Sequence, residues 1–135
     1  MDNPKPILGR KIDKSTIINL ERGKIPPQAV DLEEVVLGAM MIDKKGVDEV
    51  IDILHPDVFY KESHKFIYEA IFKLFESSEP VDLLTVSSQL KKDGHLEAVG
   101  GDFYLIKLTQ KVASSAHIEF HARIIIQKFI LRSLI

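Results

Sequence analysis

The chain has 135 residues, 45% apolar and 28% charged, with a formal charge of −2 and no cysteine. That length suits one domain with a real core, and the composition excludes disulfides, thiolate metal sites, catalytic cysteine chemistry and any long apolar membrane span. Residues 1–24 carry six Lys/Arg against three Asp/Glu and residues 117–135 three against one, while residues 25–116 carry nine against sixteen; an acidic body lacks the basic patch of a nucleic-acid-binding domain.

Residues 1–24 contain Pro4, Pro6, Gly9 and Gly23 among scattered charges, and read as a flexible tail leading to the stiff pair Pro26-Pro27. The patch Thr16–Leu20 within it is apolar enough to dock, although a frayed tail is the simpler expectation. The first helix is expected from about Asp31 to Ile42, with Asp31 and Glu34 spaced as a capping box. Leu32, Val35, Val36, Ala39 and Met40 line one side of it. Gly38 costs about 1 kcal/mol against Ala inside a helix, so it predicts close approach of another helix. Asp43-Lys44-Lys45-Gly46 reads as a turn. Val47, Val50, Ile51 and Leu54 then give a second helix that Pro56 stops.

A connection at Pro56–Tyr60 carries aromatics suited to pinning it on the core. The third helix spans about Lys61–Ser77, with Phe66, Ile67, Ala70, Ile71, Leu74 and Phe75 on its buried side and Glu69 placed to pair with Lys73. Asp82 is a good N-cap for a fourth helix carrying Leu83, Val86 and Leu90, and Gly94 suits its C-terminal turn. After a short link at Leu96–Val99 and the Gly100-Gly101 turn, a fifth helix is expected over Asp102–Lys111. Ser114 or Ser115 would cap a long last helix.

That last stretch is apolar on too many sides for one small core. Ile118, Ala122, Ile125 and Phe129 form one stripe, Ile126, Ile130 and Leu134 a second, and Phe120, Ile124, Leu131 and Ile135 a third. A helix lying on a single core needs one stripe roughly 100° wide. The surplus makes Ile118, Ala122, Ile125, Ile126, Phe129, Ile130, Arg132 and Leu134 the candidate interaction residues, and reads as a helix built to be covered by partners in a longer chain.

No arrangement for chemistry stands out. Gly23-Lys24 is followed by Ile25 and preceded by Ile18 where a P-loop needs glycine, so no nucleotide-gripping loop is present there. His117 and His121 stand four apart on one helix face, but no neighbouring third ligand accompanies them, and a polar seam is the expected role. His64 is expected at the surface or as a cap, and the carboxylates as solvated helix faces. No catalytic, cofactor or metal residues are assigned, which leaves an interaction module.

The order of short motifs then becomes informative. Pro26-Pro27-Gln28-Ala29-Val30-Asp31-Leu32-Glu33-Glu34-Val35-Val36-Leu37-Gly38, with Met40-Met41-Ile42-Asp43, resembles the opening of the N-terminal domain of DnaB-type bacterial replicative DNA helicases. Phe59-Tyr60 with His64, Phe66-Ile67-Tyr68, Pro80-Val81-Asp82-Leu83-Leu84-Thr85, Gly94-His95-Leu96, Val99-Gly100-Gly101 and Tyr104-Leu105 resemble later motifs of that family in the same order. So do Ser114-Ser115-Ala116-His117-Ile118, Ala122-Arg123-Ile124-Ile125 and Leu131-Arg132, and the run covers about residues 25–135. Ala29 replaces a frequent Ser cap, with Asp31 expected to substitute; Glu62 stands where Pro is common and His117 where Asn is usual.

The resemblance implies an all-α fold: a flexible tail (1–24), a compact head of about five short helices (25–113) and the first arm of a dimerising helical hairpin (114–135), whose second arm would follow. It implies a collar domain that pairs subunits as a trimer of dimers in a hexameric ring and docks the primase C-terminal domain, with a helicase loader as a further partner. ATP and magnesium would serve a motor domain elsewhere in the parent protein, a cytoplasmic helicase that meets single-stranded DNA as a hexamer; no cofactor and no activity are expected of this fragment. The alternative is a free-standing helical adaptor or loader-like module.

Overall fold

The computed structural model describes residues 25–112 and 116–135, all of whose regular structure is helical. The helices are α1 (Val30–Ile42), α2 (Lys44–Val50), α3 (Glu62–Glu76), α4 (Leu83–Asp93), α5 (Leu96–Val99), α6 (Gly101–Gln110) and α7 (Ile118–Ser133), with a 3-10 turn at Pro56–Val58 between α2 and α3. The expected tail, its Thr16–Leu20 patch and the proposed Ser114 and Ser115 caps lie outside the described residues.

Helix α1 is the central rod, packed by α6 on one side and α7 on another, with α2, α3 and α4 completing its cover. Val36, Leu37, Ala39, Met40 and Met41 are all buried. Gly38 lets α6 pass close: a Cβ there would stand 2.2 Å from the Leu108 carbonyl oxygen and 2.7 Å from Val112. The expected helix–helix approach at Gly38 is therefore present. Tyr68 lies wholly buried on α3 and donates its hydroxyl to the carbonyl of Leu54 at 3.0 Å, satisfying an acceptor left free where the helical turns after α2 end. Helix α4 begins with a full capping box, Asp82 accepting from Thr85 N–H and Thr85 Oγ1 accepting from Asp82 N–H, both at 2.9 Å. It ends at Gly94 in the left-handed region, φ +79°, where His95 N–H reaches back to the Leu90 carbonyl.

Several local expectations change. Asp31 is not a cap: α1 starts from Ala29, which makes no side-chain cap bond, and the Val30 N–H is taken by Gln28 Oε1 at 3.1 Å. The turn expected at Asp43–Gly46 is the start of α2, because Asp43 Oδ1 accepts from Lys45 N–H and nucleates the helix. The Leu96–Val99 link is itself a helical turn. Lys73 pairs with Asp93 at 3.1 Å, joining α3 to the end of α4, rather than with Glu69. Phe75, placed on the buried side from spacing, is 38% exposed.

Candidate subunit interface and its buried polar support

Helix α7 divides its apolar residues between the head and solvent. Ile118, Ala122 and Ile125 are buried against α1 and α2, and Ile126 and Phe129 are half-buried on the same core. On other faces Phe120 is 65% exposed, Ile130 52% and Leu134 79%. Of the eight candidate residues, three thus belong to the core, two line its edge, and Ile130 and Leu134 present apolar surface outward. A helix whose outer face keeps large hydrophobes in water has surface to offer a partner.

Arg132, the eighth, does neither. Its Nη1 donates to the Pro27 carbonyl at 2.8 Å and its Nη2 to the Val58 carbonyl at 2.9 Å. The guanidinium also lies 5.3 Å from the Tyr60 ring centre and 5.8 Å from that of Phe129. Burial lowers its affinity for the proton below the ordinary arginine value, with the charge of Glu33 pulling the other way. An open cavity of about 410 Å³ beside it is lined by Asp57, Phe59, Tyr60, Lys65, Phe129 and Ser133.

Beneath this region lies a polar network that sequence reasoning missed. Glu33, expected on a solvated helix face, and His64, expected at the surface or as a cap, are 1% and 0% exposed. Glu33 Oε2 accepts from Tyr60 N–H at 2.7 Å, and its Oε1 accepts from His64 Nδ1 at 2.7 Å and from Lys61 N–H at 3.4 Å. A carboxylate only accepts, so Nδ1 carries a proton toward Glu33, and Nε2 meets the Tyr104 hydroxyl at 2.7 Å. Lys61 Nζ donates to the same phenol oxygen at 3.2 Å and stands 4.7 Å over the Tyr104 ring. Glu34 stands 3.4 Å from that oxygen and forms an ion pair with Lys111.

Each member is tuned by its neighbours. Desolvation, then the Glu34 charge and hydrogen bond and the Glu33 charge, raise the Tyr104 phenol well above its ordinary pKa and keep it a donor. Burial alone would raise Glu34, but the Lys111 hydrogen bond and the charges of Lys111, His64 and Lys61 outweigh it and lower it. The network ties α1, the loop before α3, α3 itself and α6 into one unit. The missed signal was periodicity: Glu33 precedes the buried Val36, Leu37 and Met40 by three, four and seven residues, and His64 precedes Ile67, Tyr68 and Ile71 likewise.

His117 and His121 sit with ring centres 6.4 Å apart, and among the described residues no group of three or more His, Cys, Asp or Glu is placed to hold a metal. No helix of the described residues is long and apolar enough to cross a membrane.

The helical head thus carries an arm that is buried on one side and apolar on another. The comparisons identify its family. The profile of the DnaB-like helicase N terminal domain matches residues 25–127, and the chain belongs to that family. It is 46% identical over 115 residues to the replicative DNA helicase DnaB of Rhodothermus marinus, covering 85% of this chain and 12% of that protein. It is 39% identical over 112 residues to the replicative DNA helicase DnaB of Geobacillus stearothermophilus, covering 83% of this chain and 25% of that protein. The chain thus spans at most about a quarter of the length of these two relatives. Its fold is similar to the crystal structure of the N-terminal domain of DnaB helicase from Mycobacterium tuberculosis, with TM-score 0.79, 36% identity and coverage of 82% of this chain and 80% of that one. The N-terminal domain of DnaB helicase from Helicobacter pylori, described with its interactions with primase, superposes with TM-score 0.64 at 25% identity, over 77% of this chain and 80% of that one.

Proposed function

We propose that this domain acts as the collar of a replicative DNA helicase, pairing subunits through α7 and docking primase, with no catalytic activity of its own. The observation that carries the pairing is the outward apolar face of α7, with Phe120, Ile130 and Leu134 at 65%, 52% and 79% exposure on a helix whose opposite side is already in the core. Primase docking is supported by the Helicobacter pylori relative, whose domain is described with its interactions with primase. In this reading the parent protein unwinds duplex DNA in the cytoplasm with ATP and magnesium bound to a separate motor domain, and a helicase loader is a further partner.

Sedimentation velocity over a concentration series tests the pairing. The chain should self-associate, and Ile130→Ser with Leu134→Ser should return it to monomer while far-UV circular dichroism stays unchanged. Titration calorimetry with the primase C-terminal domain tests the docking. A strict monomer at high concentration that binds no primase domain overturns the proposal.

A further inference from the structure

We propose that Arg132 is a positioning residue that latches the outer end of α7 to the head and so sets the direction in which the arm leaves it. The inference rests on the reading of α7 as the pairing arm. Beyond Ile125 no residue of α7 is fully buried; Ile126 and Phe129 are half-covered, and Ile130 and Leu134 face water. Apolar packing therefore grips the first half of the helix firmly and the second half weakly. Arg132 supplies what the second half lacks, because its two terminal nitrogens each donate to a head carbonyl, Pro27 at 2.8 Å and Val58 at 2.9 Å.

Both acceptors are fixed in advance. Pro27 is buried just before α1, and Val58, 1% exposed, ends the 3-10 turn that its N–H makes with the His55 carbonyl. Two carbonyls at a set separation match a planar guanidinium fork and not a single ammonium. The acceptors are neutral, so the latch is not an ion pair and resists salt. It joins the entry to α1, the turn before α3 and the last turn of α7, three segments far apart in sequence, at one side chain.

The test uses paired spin labels, which the absence of native cysteine makes clean. Cysteines replace Lys92, exposed on α4, and Ile130, exposed on α7; the second change also weakens association, so the measurement is made on monomer. In the Arg132→Met variant the distance distribution should broaden about twofold, and amide exchange in the last two turns of α7 should quicken roughly tenfold while Val36, Leu37 and Leu105 keep their protection. Arg132→Lys should restore at most part of the order, and raising salt should leave the wild-type distribution unchanged. An unchanged distribution in Arg132→Met overturns the latch. So does full rescue by lysine, which would make charge the operative property, or loss of protection throughout the head, which would make Arg132 a general stabiliser. None of these outcomes depends on whether α7 pairs subunits, so failure of the latch and failure of the pairing are separately visible.

Discussion

Replacing Glu33 probes the polar network most directly, and two substitutions should differ sharply. Glu33→Ala strands the N–H groups of Tyr60 and Lys61 and His64 Nδ1, all of which now donate to one buried carboxylate. Removing one partner of a buried charged network costs about 3–5 kcal/mol. Glu33→Gln has a way out. Its oxygen can keep the Tyr60 N–H, while its amide donates to Nδ1 if His64 moves its proton to Nε2. The ring then donates to Tyr104, whose hydroxyl turns to Glu34, 3.4 Å away. Only the weak 3.4 Å bond from Lys61 N–H is lost, so the cost should be about 1 kcal/mol. With a urea slope of about 1.5 kcal/mol/M, the midpoint should fall by about 2–3 M for alanine and by less than about 1 M for glutamine. The nitrogen shifts of His64 should report the exchanged tautomer in Glu33→Gln. A glutamine variant as unstable as the alanine one, or an alanine variant within about 0.5 M of wild type, would refute the proton assignment.

Two further outcomes follow from single positions. Gly38→Ala should destabilise by about 1–3 kcal/mol in urea despite alanine's better helix propensity, because the added carbon meets the Leu108 backbone oxygen and cannot be relieved by a side-chain turn; a stabilised variant would mean that α1 and α6 separate freely. The Glu34 carboxyl is held below its ordinary pKa in the folded state, so its stabilisation is present above the unfolded value of about 4.3 and is lost as the pH falls through the lower folded value. Glu34→Gln should therefore flatten the acid side of the stability profile measured by urea midpoint against pH, and an unchanged slope counts against the Lys111 pairing.

How far the sequence reveals this molecule depends on how local each determinant is. The capping box of Asp82 with Thr85, the left-handed Gly94 and the close approach at Gly38 are signalled by residue types at fixed offsets, and they fold as such offsets require. The motif order identifies the family because it samples many such offsets together. Gln28 takes the Val30 N–H while Asp31 does not, a choice between two nearby side chains that composition cannot make. Glu33 and His64 were misplaced for another reason. Charge normally means solvent, and the contrary signal was only that both fall on a buried stripe; the Tyr104 that completes the network is 40 residues from His64. Lys73 finds Asp93 across a helix pair, where helical spacing within α3 offered Glu69.

Arg132 shows why the arm's inner stripe changes character along its length. Ile118, Ala122, Ile125, Phe129 and Arg132 follow one another at three- and four-residue steps, so all five face the head. Under the first three lie apolar side chains of α1 and α2, and those positions are aliphatic. Under the last lie two backbone carbonyls, of Pro27 and Val58, to which its two terminal nitrogens donate. An apolar residue at 132 would cover both oxygens without satisfying them, at a cost comparable to losing a hydrogen bond at each. The cation is therefore dictated by what the head presents at that point, and its bonds to backbone 105 and 74 residues away leave no mark in local sequence. The outer stripe is under no such constraint, which is why Ile130 and Leu134 are free to serve a surface outside the head while their neighbour Arg132 fixes where that surface points.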